Sequence, residues 1–165
     1  MITWIVGLSA AGKTTLGKIV YDMWKKEEPN TVFIDGDIVR SLFDNPGYTV
    51  EARRKNADFI CKLCKWLDGQ NINVVCCILS IFEESRQWNR KNYSKYFEIY
   101  VKVPMTVLRK RDKKGLYASK VKNIVGVDIP FNCPRNSDYV FDNSIDNVDF
   151  QRVAKDIFSE MQKNV

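Results

Sequence analysis

Between an apolar, β-prone run (Ile2, Trp4, Ile5, Val6) and a stretch where Leu16, Ile19, Val20 and Met23 recur at helical spacing lies Gly7-Leu8-Ser9-Ala10-Ala11-Gly12-Lys13-Thr14-Thr15. This is a fit to G-x-x-x-x-G-K-[ST] in the strand-turn-helix setting that the pattern needs. Nothing else in the chain limits its fold so tightly. The loop of Gly7, Ser9, Ala10, Ala11, Gly12 and Thr15 is expected to close backbone N–H groups around phosphate oxygens, with Lys13 reaching the β and γ phosphates. The Thr14 hydroxyl is placed to hold Mg²⁺. A plain glycine-rich turn would need neither the Lys-Thr pair nor this spacing, so a nucleoside triphosphate site is the premise.

At 165 residues, the chain is the size of one domain spanning 1–165 and long enough to bury a core. With 45% hydrophobic and 28% charged residues, it has a globular composition and not a disordered one. No apolar run approaches the roughly 20 residues that span a bilayer, and the chain starts on the P-loop strand instead of a signal core. A soluble, cytoplasmic protein with no membrane partner is expected. The net charge of +6 is uneven, with basic residues at 53–55, 86–91 and 109–114 expected to lie near phosphate-facing segments. Five cysteines, Cys61, Cys64, Cys76, Cys77 and Cys133, read as reduced core thiols. Cys61-x-x-Cys64 has no second pair at zinc-site spacing and the chain has no histidine, so it reads as no metal site.

Strand and helix signals alternate along the chain, the pattern of an α/β domain with a largely parallel sheet. Thr31 to Ile34 reads as a second strand running into Asp35-Gly36-Asp37, and 51–67 as an amphipathic helix. Strands are expected at 72–79, 97–103 and 139–141, and helices at 83–95, after Pro104 and at 148–161. From Gly115 to Ser137 the chain is irregular, and with the preceding basic run this makes a lid at about 109–137. Ligands of open parallel sheets bind beyond the carboxyl ends of the strands. The P-loop, Asp35 to Asp37, Ser80 and the start of the Pro104 helix should therefore meet in one cleft.

Two carboxylates two residues apart at a strand end can divide Mg²⁺ positioning from proton acceptance. A polar turn with Asp37 as helix N-cap is the bland alternative. Beside a P-loop, and with Arg40 three residues on, these residues resemble the adenylylsulfate (APS) kinases, P-loop enzymes that phosphorylate the 3′-hydroxyl of a nucleotide. The loop is similar to G-L-S-G-S-G-K-[ST], and Phe33 to Arg40 to L-D-G-D-x-[VI]-R. Gly47-Tyr48-Thr49 with Arg53 and Asn56 resembles G-F-S-x-x-D-R-x-x-N. Ser80 with Arg86 and Arg90 resembles S-P-[FY]-x-x-D-R-x-x-x-R, and Arg111 to Tyr117 resembles R-D-P-K-G-L-Y.

The resemblance implies a nucleotide-kinase-like three-layer sandwich with a mobile lid, using ATP and Mg²⁺. Lys13 and Thr14 would handle ATP and the metal, Asp37 would be the base, and Asp35 would support the metal. Arg111 would stack on the ATP adenine. Arg40, Tyr48, Arg53, Asn56, Ser80, Lys114 and Ile124 would line the acceptor site. The departures fall on the acceptor side: Ala52, Asp58 and Ile81 stand where the family has Asp, Arg and Pro, and the lid is shortened. Of the two aromatic walls around the acceptor base, the first is Tyr48 but the second is Ile124. Losing one wall removes about 1–3 kcal/mol of stacking, which argues for a smaller base.

A divergent group of relatives, the cytidine diphosphoramidate kinases of capsule modification, suits these departures, with a diverged APS kinase as the alternative. Another small-metabolite kinase fits the Asp35 to Arg40 and Lys114 to Tyr117 segments less well. A nucleic-acid-binding module lacks a stacking platform. The expected partner is a small nucleotide acceptor and not a nucleic acid, and the oligomeric state is open, a homodimer included.

Overall fold

A computed structural model describes residues 1–42, 47–112, 115, 117 and 122–163. Along the chain follow β1 (Ile2–Val6), α1 (Lys13–Glu27), β2 (Thr31–Asp35), α2 (Gly36–Leu42), α3 (Val50–Asp68), β3 (Asn73–Ile78), α4 (Glu83–Asn92), β4 (Tyr96–Lys102), α5 (Met105–Arg111), β5 (Tyr139–Asp142) and α6 (Phe150–Lys163). The strands form one sheet in the order β2-β3-β1-β4-β5, and every pair is parallel. The strands therefore all release their chains at the same edge, which gathers the P-loop after β1, Asp35 after β2 and Ser80 after β3.

The central strands are apolar on both faces because helices cover both. Ile2, Trp4 and Val6 share one face with Val74, Cys76 and Ile78 and pack against Ile60 and Cys64 of α3. Ile5, Val75, Cys77, Ile99 and Val101 look the other way, into Leu16 and Val20 of α1 and Ala154 and Ile157 of α6. Period-two alternation thus sorts one strand sequence into two cores, with a helix layer on each side. Each fully buried aliphatic side chain contributes about 1.5–3 kcal/mol relative to exposure.

Close approach of α1 to the sheet depends on Gly17. A Cβ there would overlap the Cys77 sulfur, so any side chain would force the thiol or the helix to shift. At the other end of the sheet edge, Thr49 caps α3 by accepting the Ala52 N–H at 3.2 Å.

Three features differ from the reading of the sequence. The seven-residue α2 entered the reading only as the alternative in which Asp37 is a helix N-cap, because two turns are too short for a periodic apolar pattern to declare itself; the helix starts at Gly36, with Asp37 inside its first turn. The α4 helix ends at Asn92 and not near Lys95. Cys133 is exposed, whereas the other four cysteines are buried, because it sits in the irregular segment after Pro130 and not in an element of the core. No described helix is long and apolar enough to cross a membrane.

Candidate active site

The P-loop wraps the start of α1. Gly12 caps that helix with φ 99 and no side-chain cap bond, which leaves the first-turn N–H groups open to an anion. A Cβ on Gly12 would press to 2.9 Å from Asn143 Nδ2, and that same amide donates to the Ala11 carbonyl at 2.9 Å. Ala10 has φ 62, a left-handed conformation that costs a Cβ-bearing residue about 1–2 kcal/mol, where the family pattern has glycine. Lys13 folds back to donate to the Leu8 carbonyl at 2.8 Å. Burial lowers its pKa, with Asp37 and Asp35 among the groups that oppose the shift.

The two carboxylates of the β2 end sit differently. Asp35 Oδ2 accepts from Thr14 Oγ1 at 2.9 Å, and its Oδ1 accepts the Asp37 backbone N–H at 2.9 Å. The Asp35 carboxylate is thereby fixed, while Asp37 stands exposed in the first turn of α2. The Thr14 hydroxyl and Asp35 carboxylate meet at one point, an all-oxygen pair of the kind that holds Mg²⁺ together with substrate phosphates. Among the described residues there is no cluster of three or more His, Cys, Asp or Glu that would hold a metal without substrate. The donor set therefore fits a magnesium–nucleotide and not a protein-only metal cage.

Next to the acids lies a cationic cleft lined by Arg40, Arg53, Asn56, Ser80, Ile81 and Phe82. The Arg40 and Arg53 guanidiniums lie 4.8 and 5.4 Å from the centroid of the half-exposed Tyr48 ring. Arg53 donates to the carbonyls of Tyr48 at 3.0 Å and Asn123 at 3.1 Å, joining the start of α3 to the chain just before Ile124. Burial and the neighbouring Arg40 lower the Arg53 pKa, with Asp37 opposing. Arg40 Nε is buried without a hydrogen-bond partner among the described residues. The cleft has a volume of ≈ 20 Å³, room for a water and not for a nucleotide.

Thus Lys13, Thr14, Asp35, Asp37, Arg40, Tyr48, Arg53, Asn56 and Ser80 fall in one continuous array. Ile124 adjoins it but is buried, and its N–H donates to Asp128 at 2.9 Å; it offers no open wall. Arg111 stands apart, donating to the carbonyls of Asn143 and Ile145 and pairing with Asp146. Lys114 lies outside the described residues. The basic group at 86–91 does not behave as expected: Arg86 is buried beside Glu98, and the more exposed Arg90 pairs with Asp138, because α4 turns a polar face toward β4 and the chain before β5. A larger cavity, ≈ 380 Å³, lies between Leu8, Tyr100, Met105 and the 126–133 segment, lined mainly by apolar side chains.

Sequence reasoning passed over three supporting groups. Asn143 braces the Ala11 carbonyl, Tyr117 donates to the Ser9 carbonyl at 2.9 Å, and Trp4 Nε1 donates to Ser80 Oγ at 3.1 Å. Each contact joins residues more than 70 positions apart, so no local spacing announces it.

The adenylylsulphate kinase family model matches residues 1–142. A cytidine diphosphoramidate kinase of Campylobacter jejuni is 37% identical over 150 residues, 88% of each chain. An adenylyl-sulfate kinase of Halothermothrix orenii is 35% identical over 140 residues, covering 82% of this chain and 76% of its own. Among solved structures, the APS kinase of Mycobacterium tuberculosis in complex with AMPPNP and APS superposes with a TM-score of 0.84 at 23% identity. The match covers 98% of this chain and 96% of that one, a likeness of fold.

Proposed function

The chain belongs to the adenylylsulfate kinase family, and from this membership we propose that it transfers the γ-phosphate of ATP to the 3′-hydroxyl of a nucleoside 5′-phosphate derivative, with cytidine diphosphoramidate as the acceptor. The observation that carries the proposal is the contiguity of the Thr14–Asp35 pair and exposed Asp37 with a cleft holding two guanidiniums, neither of which forms an ion pair among the described residues. A dianionic 5′ substituent seated on Arg40 and Arg53 would leave the ribose between that cleft and the P-loop. Asp37 is then the proton acceptor for the attacking hydroxyl, and Asp35 keeps its orientation through Thr14 and the Asp37 amide. Asn56 faces the ribose side of the cleft, one turn along α3 from Arg53.

Lys13 leaves the Leu8 carbonyl for the β and γ phosphates, and Arg111, its plane set by two carbonyls, backs the ATP adenine. The Thr14 hydroxyl and Asp35 would hold Mg²⁺, which supplies charge neutralisation on the transferring phosphoryl group. Residues 109–137 serve as the lid. The choice of a pyrimidine acceptor is supported by Ile124 being buried, so that it adds no aromatic wall opposite the Tyr48 ring that lies against Arg40 and Arg53, and by the 37% identity to a relative of that activity. Adenylylsulfate is the alternative acceptor, favoured by the family match over residues 1–142.

A coupled ADP-release assay with ATP and Mg²⁺ separates the two. Cytidine diphosphoramidate is expected to give the highest kcat/KM among it, adenylylsulfate, CDP and CMP. Efficient turnover of adenylylsulfate alone would establish the alternative acceptor.

A further inference from the structure

We infer that Arg86 is a positioning residue that ties the floor of the acceptor cleft to the chain segment 131–138, so that its loss weakens acceptor binding more than donor binding. The inference rests on reading the Arg40–Arg53 cleft as the acceptor's. Arg86 is 5% exposed and lies on the inner face of α4. One of its terminal nitrogens donates to the Ser80 carbonyl at 2.6 Å, and the other donates to the Asn132 carbonyl at 3.4 Å. Its Nε stands 4.0 Å from the buried Glu98 carboxylate, which supplies the counter-charge.

Ser80 needs such a hold. It is a non-glycine residue with φ 49, a conformation retained only where the surroundings determine it. Trp4 fixes its hydroxyl oxygen from β1, and Arg86 fixes its carbonyl from α4. A rotation of this one residue would carry the cleft floor, Ser80 to Phe82, with it.

The other end of the tie is equally built. Glu98 accepts from the hydroxyls of Tyr96 at 2.7 Å and Ser137 at 2.9 Å, and its backbone N–H donates to Asp138 at 2.7 Å. Arg90 adds a fork onto Asp138 and donates to the Asn136 carbonyl at 2.7 Å. The segment 132–138 is therefore docked on the sheet through the same polar face of α4 that holds Ser80. A planar guanidinium can serve both carbonyls at once, whereas an ammonium cannot reproduce that fork.

Two variants test this. In Arg86→Gln the charge is lost, and in Arg86→Lys a positive charge remains beside Glu98, which protects folding if the first variant is unstable. Both are expected to raise the acceptor KM about tenfold or more, the size of a lost charge-assisted hydrogen bond, with the ATP KM within about twofold. Amide hydrogen exchange should rise in 78–82 and 131–138 together while the P-loop amides keep their protection. Unchanged exchange in both segments, or ATP and acceptor constants moving in parallel, would overturn the role of Arg86. If the wild-type enzyme phosphorylates none of the nucleotide acceptors, the functional reading falls, and the exchange pattern still decides whether Arg86 ties the two segments.

Discussion

At the scale of single residues, the site separates groups that are already held from groups left for substrate. Asp35 is engaged at both oxygens, whereas Asp37 projects from the first turn of α2. Replacing Asp37 with Asn should lower kcat by about a hundredfold or more, the usual weight of a general base, while ATP binding measured by calorimetry stays within about threefold. A near-normal kcat would remove Asp37 from the chemistry. Lys13 carries a pH signature. Its pKa is lowered in the ligand-free protein, and triphosphate oxygens favour its charged form, so ATP binding should take up protons. Affinity should weaken as pH rises through the lowered pKa. The sign for folding is the reverse: between that pKa and the ordinary lysine value the unfolded chain binds more protons, so ligand-free stability rises with pH there. Calorimetry in buffers of different ionisation enthalpy reads the uptake; proton release would contradict it. The placement of these residues side by side was legible from the G-x-x-x-x-G-K-T and D-G-D spacings. The occupation of Arg53 by the Tyr48 and Asn123 carbonyls was not, since it depends on how the chain returns 70 residues later.

At the scale of elements, the strand and helix alternation was readable because β1 and β3 are apolar on both faces and α3 carries a long amphipathic period. The short α2 and the polar inner face of α4 were not. The first has too few turns to show a period, and the second inverts the usual rule by burying Arg86 and Asn89. The seat of α1 gives a sharp test. Gly17→Ala should destabilise the protein by about 1–3 kcal/mol in urea unfolding, because its Cβ meets Cys77 Sγ. Combining it with Cys77→Ala should recover part of that loss; strictly additive effects would rule out the contact as the cause. The thiols give another test. Burial pushes Cys61 and Cys77 up to about 12, and four of the five cysteines are buried. The native protein should therefore expose one fast-reacting thiol, Cys133, to a disulfide reagent and all five after unfolding. A second fast thiol in the native state would contradict this packing.

At the scale of the whole molecule, an all-parallel sheet delivers the triphosphate loop, the acidic strand end and the cationic cleft to one edge, and the proposed reaction follows from that adjacency. The P-loop was legible as a strand, turn and helix start, since that motif is one contiguous stretch of backbone. The acceptor half was legible only in part, because its walls come from α2, α3 and the chain after β3, which no local pattern joins. The basic excess was read too broadly: Arg86 lies inside beside Glu98, and Arg90 at the surface is paired with Asp138. The central claim is transfer to a nucleotide 3′-hydroxyl, and phosphorus–proton correlation NMR on the product of ATP, Mg²⁺ and cytidine diphosphoramidate tests it most directly. The account predicts a new phosphomonoester phosphorus coupled to the ribose H3′. A new phosphorus coupled to H2′, or inorganic phosphate as the sole product, would contradict it.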